Sequence, residues 1–230
     1  PRGVRWVSST PPVCGARHPP LWGAAGGPGA PTPARAQDDA APATLPVPAD
    51  RYPDKDAAAV MPEEIEATDN RGRQELEKLL EYSPQHVPAR VQNAFHLVAR
   101  GMNRRAQQEF EYAIRVAKPD SLAARHAQWA YGWGLFRMGE YRAAIERWME
   151  AERMHGGNPS WAPWTYAIGL WVAGDSELAV KFWTAAVRSD PERWGASRGL
   201  EREIRNWPAN QRLAAEALHA EWKRRLTSGG

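Results

Sequence analysis

A repeated sequence frame constrains the fold of this chain more than any other feature. The stretch WGLFRMGEYRAAIERW (133–148) and the stretch IGLWVAGDSELAVKFW (168–183) start 35 residues apart. Both open with an apolar residue before Gly-Leu, continue to a glycine followed by an acid, and place a tryptophan four residues after an alanine. A period of this length is typical of solenoids in which pairs of helices stack on one another.

A third copy of the frame lies upstream in the same phase. Gly101, Gly139 and Gly174 each precede the alanine of the frame by five residues, and an aromatic residue follows that alanine four residues later. Between these glycines, apolar residues recur at intervals of three and four, which is the period of an amphipathic helix. Breaks rich in glycine and proline separate the stretches. We therefore predict an all-helical chain with antiparallel neighbours.

The same positions resemble the tetratricopeptide repeat family, whose second helix carries an alanine, a large residue and a second alanine at these spacings. The second alanines here are Ala113, Ala151 and Ala186. The small residues that the family places on its first helix are Ala94, Gly132 and Ala167. The tryptophan usual at the fourth position of that helix is replaced by Arg90, Gln128 and Pro163. The resemblance implies a right-handed α-solenoid of antiparallel helix pairs.

Composition divides the chain into a leader and a repeat domain. Residues 1–68 are rich in proline, alanine and glycine and have no helical or strand periodicity. A segment of this kind buries too little apolar surface to offset its chain entropy. We therefore predict a disordered leader over 1–68 and a helical repeat domain over 70–226. The predicted units are a partial repeat (70–86), three repeats (87–120, 125–159 and 160–193) and a degenerate capping repeat (194–226).

Part of the leader resembles a signal peptide. The first 37 residues carry four arginines and no acid, and the sequence Ala34-Arg35-Ala36 resembles a signal-peptidase site. The stretch LWGAAGGPGAPTP upstream is interrupted by glycine and proline, which argues against cleavage. Two localisations stay open: the bacterial periplasm or cell envelope if a signal-like segment ends near residue 36, and the cytoplasm otherwise. No apolar run approaches the roughly 18 to 20 residues that a membrane span requires.

No group of residues has the spacing of a catalytic or metal site. The chain has one cysteine, Cys14, and its six histidines do not fall at ligand spacing with acids or with Cys14. The glycine-rich stretch WGAAGGPGAP lacks the lysine and threonine of a phosphate-binding loop. Carboxylates two residues apart on a helix face different ways. We predict a protein that is not an enzyme and has no cofactor and no metal.

The tryptophans provide the clue to function. The tetratricopeptide resemblance implies that the first helix of each pair lines a concave surface at four of its positions. In this chain those positions give a predicted partner-binding groove with an arginine at its rim, comprising Phe95, Trp129, Trp133, Phe136, Arg137, Trp161, Trp164, Ile168 and Trp171. Each aromatic ring can bury about 150–250 Å². An aromatic wall on the order of 1,000 Å² would exceed what a monomer normally exposes, so something must cover it.

Three different elements could cover this aromatic wall, and each implies a different function. A facing wall or the last helix (215–226) could fill the groove from within, which would make the chain a structural subunit. A peptide or protein partner could lie in the groove, which would make the chain a non-catalytic interaction scaffold or adaptor. The leader (37–70) could also occupy the groove with its acids. The scaffold is the function we predict, and a homo-oligomer is compatible with the sequence.

Nucleic-acid binding is a rival from another class of function. The net charge is +3 and the sequence pI is about 9.2, and basic clusters such as 223–225 could follow a phosphate backbone while aromatic rings stack on bases. Acids interleave with these bases throughout the repeats, which is typical of a solvated helical surface. The sequence therefore favours a protein partner over nucleic acid.

Overall fold

The computed structural model describes residues 45, 47–62 and 69–228. The predicted signal-like segment and the first 44 residues of the predicted leader lie outside this part of the chain. Nine α-helices are present in the described residues, with a short π-helix (Pro191–Gly195) after the seventh. The α-helices are α1 (Asn70–Tyr82), α2 (Val87–Ala99), α3 (Asn103–Val116), α4 (Leu122–Arg137), α5 (Tyr141–His155), α6 (Ala162–Val172), α7 (Ser176–Ser189), α8 (Ser197–Ile204) and α9 (Ala209–Ser228).

The helices pack in adjacent pairs, as expected for a helical repeat. The closest associations are α2 with α3, α4 with α5, and α6 with α7, and successive pairs are joined by contacts of α4 with α2 and α3 and of α5 with α6. At the carboxyl-terminal end, α9 packs against both α6 and α7. The prediction of an all-helical chain with paired neighbours is therefore confirmed for the described residues.

The glycines of the frame form the turns within each pair. Gly101, Gly139 and Gly174 have φ values of +69°, +85° and +91°. A side chain is disfavoured in this left-handed region because its Cβ approaches the following carbonyl. Glycine therefore lets each first helix end and the chain reverse into the second helix. The glycines therefore recur in the sequence because each turn requires a residue with positive φ.

The small and large positions of the frame interlock between helices. Gly132 on α4 faces Trp148 on α5 so closely that a Cβ at this glycine would overlap the indole ring. The Trp148 indole N–H donates a hydrogen bond of 3.2 Å to the carbonyl of Trp129 on the same facing helix. Trp148 and its counterpart Trp183 are fully buried, so the tryptophans of the repeated frame belong to the core.

The carboxyl-terminal helices close the stack. Ala214 and Leu218 on α9 keep the repeat phase and are buried, as is Trp222. At 20 residues α9 is the longest helix in the described residues. None of the helices that the structure describes combines the length and apolar character needed to cross a membrane.

Residues 47–62 have no helix and no extended strand, yet they pack on the repeats. A single isolated bridge pairs Asp54 with Pro159, and Tyr52 and Ala58 are only 3% and 1% exposed. The composition of 1–68 predicts disorder, whereas this part of it is anchored to the helices. The physical reason is that a few specific contacts, which composition does not register, hold the segment in place.

Candidate interaction site on the aromatic face

Trp133 on α4 is the centre of an aromatic cluster that spans two successive helix pairs. Its ring centroid lies 4.9 Å from that of Trp148, 5.6 Å from Trp164 and 6.4 Å from Trp129. Trp164 is supplied by α6, and its ring stacks on Trp133 at an interplanar angle of 27°. The spacing of three and four along α4 and α6 thus brings rings from successive pairs into direct contact.

The structure brings most of the predicted groove residues together and covers them. The buried ones, each at most 9% exposed, are Phe95, Trp129, Trp133, Phe136, Trp161, Trp164 and Ile168. Arg137 and Trp171 are half-buried. The guanidinium carbon of Arg137 lies 4.9 Å from the ring centroid of Phe95. An open aromatic wall is therefore replaced by a largely filled face, and much of the cover comes from the chain itself.

Two tryptophans outside the predicted set supply part of this cover. Trp194 stacks on Trp164 with centroids 5.2 Å apart, and Trp207 lies at the same distance from Trp164. Trp194 belongs to the π-helix and Trp207 to the break between α8 and α9. Sequence reasoning missed both because they lie in breaks rather than in the repeat frame. The sequence feature that could have indicated them is the high frequency of tryptophan in the predicted capping repeat (194–226).

The second part of the cover is the extended segment 47–62. Its backbone follows the ends of the helices: the Tyr52 N–H donates to Ser189 Oγ at 2.9 Å, and the Asp54 N–H donates to the Asn158 carbonyl at 3.1 Å. The N–H of Ser160 in turn donates to the Asp54 carbonyl at 2.7 Å. The segment therefore crosses successive repeats from α7 toward α4.

Asp56 is the main polar anchor of this segment, and its side chain is fully buried. Arg125 donates to the carboxylate from Nε and Nη2 at 3.0–3.1 Å, and the Trp161 indole N–H donates at 3.0 Å. Burial alone would raise the pKa of Asp56. The N–H groups of Ala58, Trp161 and Arg125 outweigh it and hold the pKa below its ordinary value. Arg125, which lies in the first turn of α4, therefore binds an acid of its own chain.

A cavity of about 370 Å³ lies beside Ala59, Met61 and Pro62 of this segment. Its volume lies within the roughly 300–1,000 Å³ range of ligand pockets in proteins. Its walls combine indole rings, two arginines, one acid and these segment residues, and they comprise Ala59, Met61, Pro62, Trp129, Trp133, Arg137, Trp164, Arg193, Glu203, Asn206, Trp207, Pro208 and Gln211. Trp171, which lies on the same predicted stripe, is not among these lining residues. The cavity joins the aromatic face to the capping repeat.

Four of the lining residues carry buried N–H groups that have no acceptor in the part of the chain that the structure describes. These groups are Nε1 of Trp129, Nε1 of Trp133, Nε of Arg193 and Nε2 of Gln211. Buried polar groups in folded proteins are nearly always hydrogen-bonded. The indole N–H groups of Trp183 and Trp222 elsewhere in the cluster also have no acceptor in the described residues, so unused donors are a property of the whole aromatic cluster.

Outside the cavity, the buried titratable pair Tyr166 and Glu152 stabilises the packing of helices α5 and α6. The Tyr166 hydroxyl donates a hydrogen bond of 2.6 Å to Glu152, and burial raises the pKa of both residues. No group of three or more His, Cys, Asp or Glu residues that could hold a metal is found in the described residues. The absence of enzymatic activity, cofactor and metal stays a prediction.

No family model, curated protein or solved structure matches this chain. The resemblance to tetratricopeptide repeats therefore rests on the repeat frame described above.

Proposed function

We propose that this protein is a non-catalytic interaction scaffold, a right-handed helical solenoid of tetratricopeptide type that holds an extended segment of a partner protein on its aromatic face. The paired helices and the phase of their glycine turns support the architecture. The site of binding is the cavity bounded by Trp133, Trp164 and Trp207. The identity of the partner is open.

The observation that carries this proposal is the way the face already holds an extended segment of its own chain. Residues 47–62 bury one aromatic side chain, Tyr52, and one acid, Asp56, and they exchange backbone hydrogen bonds with the turn at 158–160. These are the contacts by which extended peptides bind protein surfaces: main-chain hydrogen bonds and pockets for selected side chains. The repeats therefore carry the chemistry for peptide binding.

The cavity adjoins that segment. Met61 and Pro62 lie in its wall, so a partner segment that entered there would lie beside the chain's own segment. Aromatic residues that are half-buried before binding become fully desolvated beneath a partner, and such residues dominate the energy of interfaces. Trp207 is half-buried and lines the cavity, which makes it the proposed anchor.

A second candidate is a structural subunit whose aromatic face is permanently filled from within. The burial of Trp129, Trp133 and Trp164, each at most 9% exposed, favours this reading. The two candidates differ in one respect: a scaffold requires the cavity to admit a partner, whereas a structural subunit requires only the packed rings.

The deciding experiment is co-purification of partners by the wild-type chain and by Trp207→Ala, followed by mass spectrometry. The matched control is Tyr112→Ala, which removes a half-buried aromatic residue of α3. We expect Trp207→Ala to lose partners that Tyr112→Ala retains, with both variants keeping cooperative thermal unfolding. Identical sets of partners for all three proteins would reject the cavity as a partner site and leave the structural subunit.

Ionic strength separates a protein partner from nucleic acid. Binding that depends on several phosphate contacts weakens by roughly 10³–10⁵ between 50 and 200 mM salt. We expect the captured complex to persist over this range because its anchor is aromatic and desolvated. Loss of the complex together with release of nucleic acid would favour the rival function.

A further inference from the structure

The extended segment 47–62 contacts the repeats with every second residue of its central part. The less exposed residues, which face the repeats, are Tyr52, Asp54, Asp56 and Ala58. The residues that alternate with them are exposed to solvent, and they are Arg51, Pro53, Lys55 and Ala57. Successive side chains of an extended backbone point to opposite faces. The segment therefore lies on the repeats as a bound peptide does, with alternate side chains in contact.

Asp54 lies in a recess formed by the turn between α5 and α6. Its carboxylate accepts the Asn158 N–H at 2.8 Å, in addition to the two backbone hydrogen bonds that it exchanges with this turn. A Cβ added to Gly157 would lie 2.6 Å from Oδ2 of Asp54. The glycine thus leaves room for the carboxylate, and the turn supplies main-chain groups that any extended segment could use.

Asp56, two residues later, lies in a second recess with charged and aromatic walls. Its side chain is fully buried, and the Arg125 guanidinium and the Trp161 indole N–H both donate to its carboxylate. Charge-assisted hydrogen bonds of this kind are stronger than neutral ones. This recess therefore distinguishes an acid from a neutral side chain.

Tyr52 and Ala58 mark the two ends of the alternating stretch. Tyr52 is 3% exposed, and its N–H donates to Ser189 Oγ at the end of α7. Ala58 is 1% exposed, and its carbonyl accepts from Nδ1 of His126 near the start of α4 at 2.9 Å. An aromatic ring and a small side chain thus flank the two acids.

The groups that hold the segment belong to the repeats, and the helix pairs pack on one another through contacts of their own. The segment has no helix, and its pairing is a single isolated bridge. Segments with few buried contacts open at a lower free energy than the whole fold. When this segment leaves the surface, the donors that it occupied become available to another extended chain.

We propose that this surface is a peptide-binding site that residues 52–58 occupy in cis. A partner protein displaces them with an extended segment that carries an aromatic residue, two acids and a small residue at alternate positions. This inference rests on the proposed scaffold function and specifies the partner's sequence pattern and the control of access. A tethered segment competes at a high local concentration, so the chain excludes segments that match the pattern poorly.

The test uses the full chain and a peptide of residues 49–60 (ADRYPDKDAAAV) with fluorescein at its amino terminus. Fluorescence anisotropy measures its dissociation constant for the wild-type chain and for Tyr52→Ala, which weakens the tethered segment and leaves the site intact. We expect at least about tenfold tighter binding to Tyr52→Ala, because a larger fraction of chains has the site open. Asp56→Asn in the chain is a second such variant, which keeps the shape of the side chain, and we expect the same direction.

Two altered peptides test recognition at alternate positions, each measured on the Tyr52→Ala chain. The peptide with Asp56→Asn should bind about tenfold more weakly, because it loses the charge-assisted hydrogen bonds. The matched control carries Lys55→Ala at the exposed neighbouring position and should bind as the parent peptide does.

On the side of the repeats, adding Trp161→Phe to the Tyr52→Ala chain should weaken binding of the parent peptide, because one donor is removed and an aromatic ring is kept. Trp222→Phe is the matched control, since its indole N–H makes no hydrogen bond to the segment in the described residues. Binding to that control should be unchanged. Cooperative thermal unfolding confirms that each variant is folded.

Two results would overturn the inference. Equal peptide affinity for the wild-type chain and both weakened chains, or no binding to any of them, would show that the segment is a permanent part of the fold. Equal affinity of the parent and Asp56→Asn peptides would reject recognition of an acid at the inward position. Neither result concerns the cavity beside Trp207, so co-purification with Trp207→Ala decides the scaffold function separately.

Discussion

The indole N–H of Trp161 and the carboxylate of Asp56 lie 105 residues apart in sequence and 3.0 Å apart in space. Trp161 is the N-cap residue of α6 in the third helix pair, whereas Asp56 belongs to a segment that precedes all the repeats. The hydrogen bond, together with the Arg125 ion pair, closes the chain on itself across its aromatic face. The free energy of unfolding should therefore depend on this one carboxylate.

Replacement of Asp56 by alanine should destabilise the protein. The change leaves Arg125, which is 18% exposed, and the buried Trp161 indole without their acceptor. Breaking a buried ion pair from one side costs roughly 2–4 kcal/mol when one partner keeps some contact with water. Urea unfolding at pH 7 measures the loss.

The matched control is Asp50→Ala, which breaks an exposed ion pair to Arg188 in the same segment. Exposed pairs contribute little, so a change within about 0.5 kcal/mol is expected. Because the folded pKa of Asp56 is lowered, its contribution is fully present above its ordinary pKa of 3.8 and is lost as the pH falls through the lower folded pKa. Equal urea midpoints for wild type and Asp56→Ala at pH 7 would contradict the assigned role.

Replacement of Glu152 by glutamine should change stability in the opposite direction. Burial raises the pKa of Glu152, while the hydrogen bond from Tyr166 and the charge of His155 lower it less. A carboxyl whose folded pKa is raised stabilises the fold below its unfolded pKa, and that contribution is lost as the pH rises through the folded value. Glutamine retains an oxygen that can accept from Tyr166 and carries no charge.

We therefore expect Glu152→Gln to melt at a higher temperature than wild type at pH 7 and at the same temperature below about pH 4. Thermal unfolding followed by circular dichroism across this range measures the difference. Glu150→Gln serves as the control, since Glu150 pairs with Arg153 on the surface. A lower melting temperature for Glu152→Gln at pH 7 would show that the charge itself is required.

The repeats were predictable from the sequence because their determinants are local. The phase of Gly139 and Gly174 follows from the φ value that each turn requires, and the small residue Gly132 faces the large residue Trp148 through contacts within one helix pair. Periodicity records such requirements directly. The helical architecture and the packing of helices in pairs could therefore be predicted from the sequence.

The cover of the aromatic face was not predictable in the same way. Asp56 and Arg125 are separated by 69 residues, and an extended segment has no period that would reveal which face it contacts. Trp207 lies in a break, where the repeat frame assigns no position. Contacts of this kind depend on the assembled surface rather than on the local sequence, and composition alone suggested a disordered leader.

The two kinds of glycine in the frame should respond differently to alanine. At Gly139, where φ is +85° and no atom lies within 4 Å of an added Cβ, the cost is backbone strain of about 1–2 kcal/mol. At Gly132 an added methyl group would overlap the Trp148 ring, which is itself held by a hydrogen bond to the Trp129 carbonyl. Overpacking of a core costs about 1–3 kcal/mol and occasionally more.

We expect Gly132→Ala to be the more destabilising of the two in urea unfolding. It should also change the near-ultraviolet circular dichroism, because the Trp148 and Trp133 rings are in contact. Gly139→Ala should leave that spectrum unchanged. If Gly139→Ala were the more costly change and the spectra were identical, the close approach of α4 and α5 at Gly132 would be wrong.

The docking of residues 47–62 should govern proteolysis near Lys55, an exposed residue between two buried anchors. Cleavage by trypsin requires the segment to leave the surface, so the rate follows the population of the open form when opening is fast.

Tyr52→Ala removes a side chain that is 3% exposed and whose hydroxyl accepts the Ala49 N–H at 3.0 Å. Since a loss of about 1.4 kcal/mol gives a tenfold change in an equilibrium, truncation of this aromatic anchor should raise cleavage after Lys55 more than about tenfold. Tyr82→Ala, at a tyrosine that is 90% exposed, should cleave at the wild-type rate. Mass spectrometry of timed digests measures all three rates, and equal rates for wild type and Tyr52→Ala would show that Tyr52 does not hold the segment on the repeats.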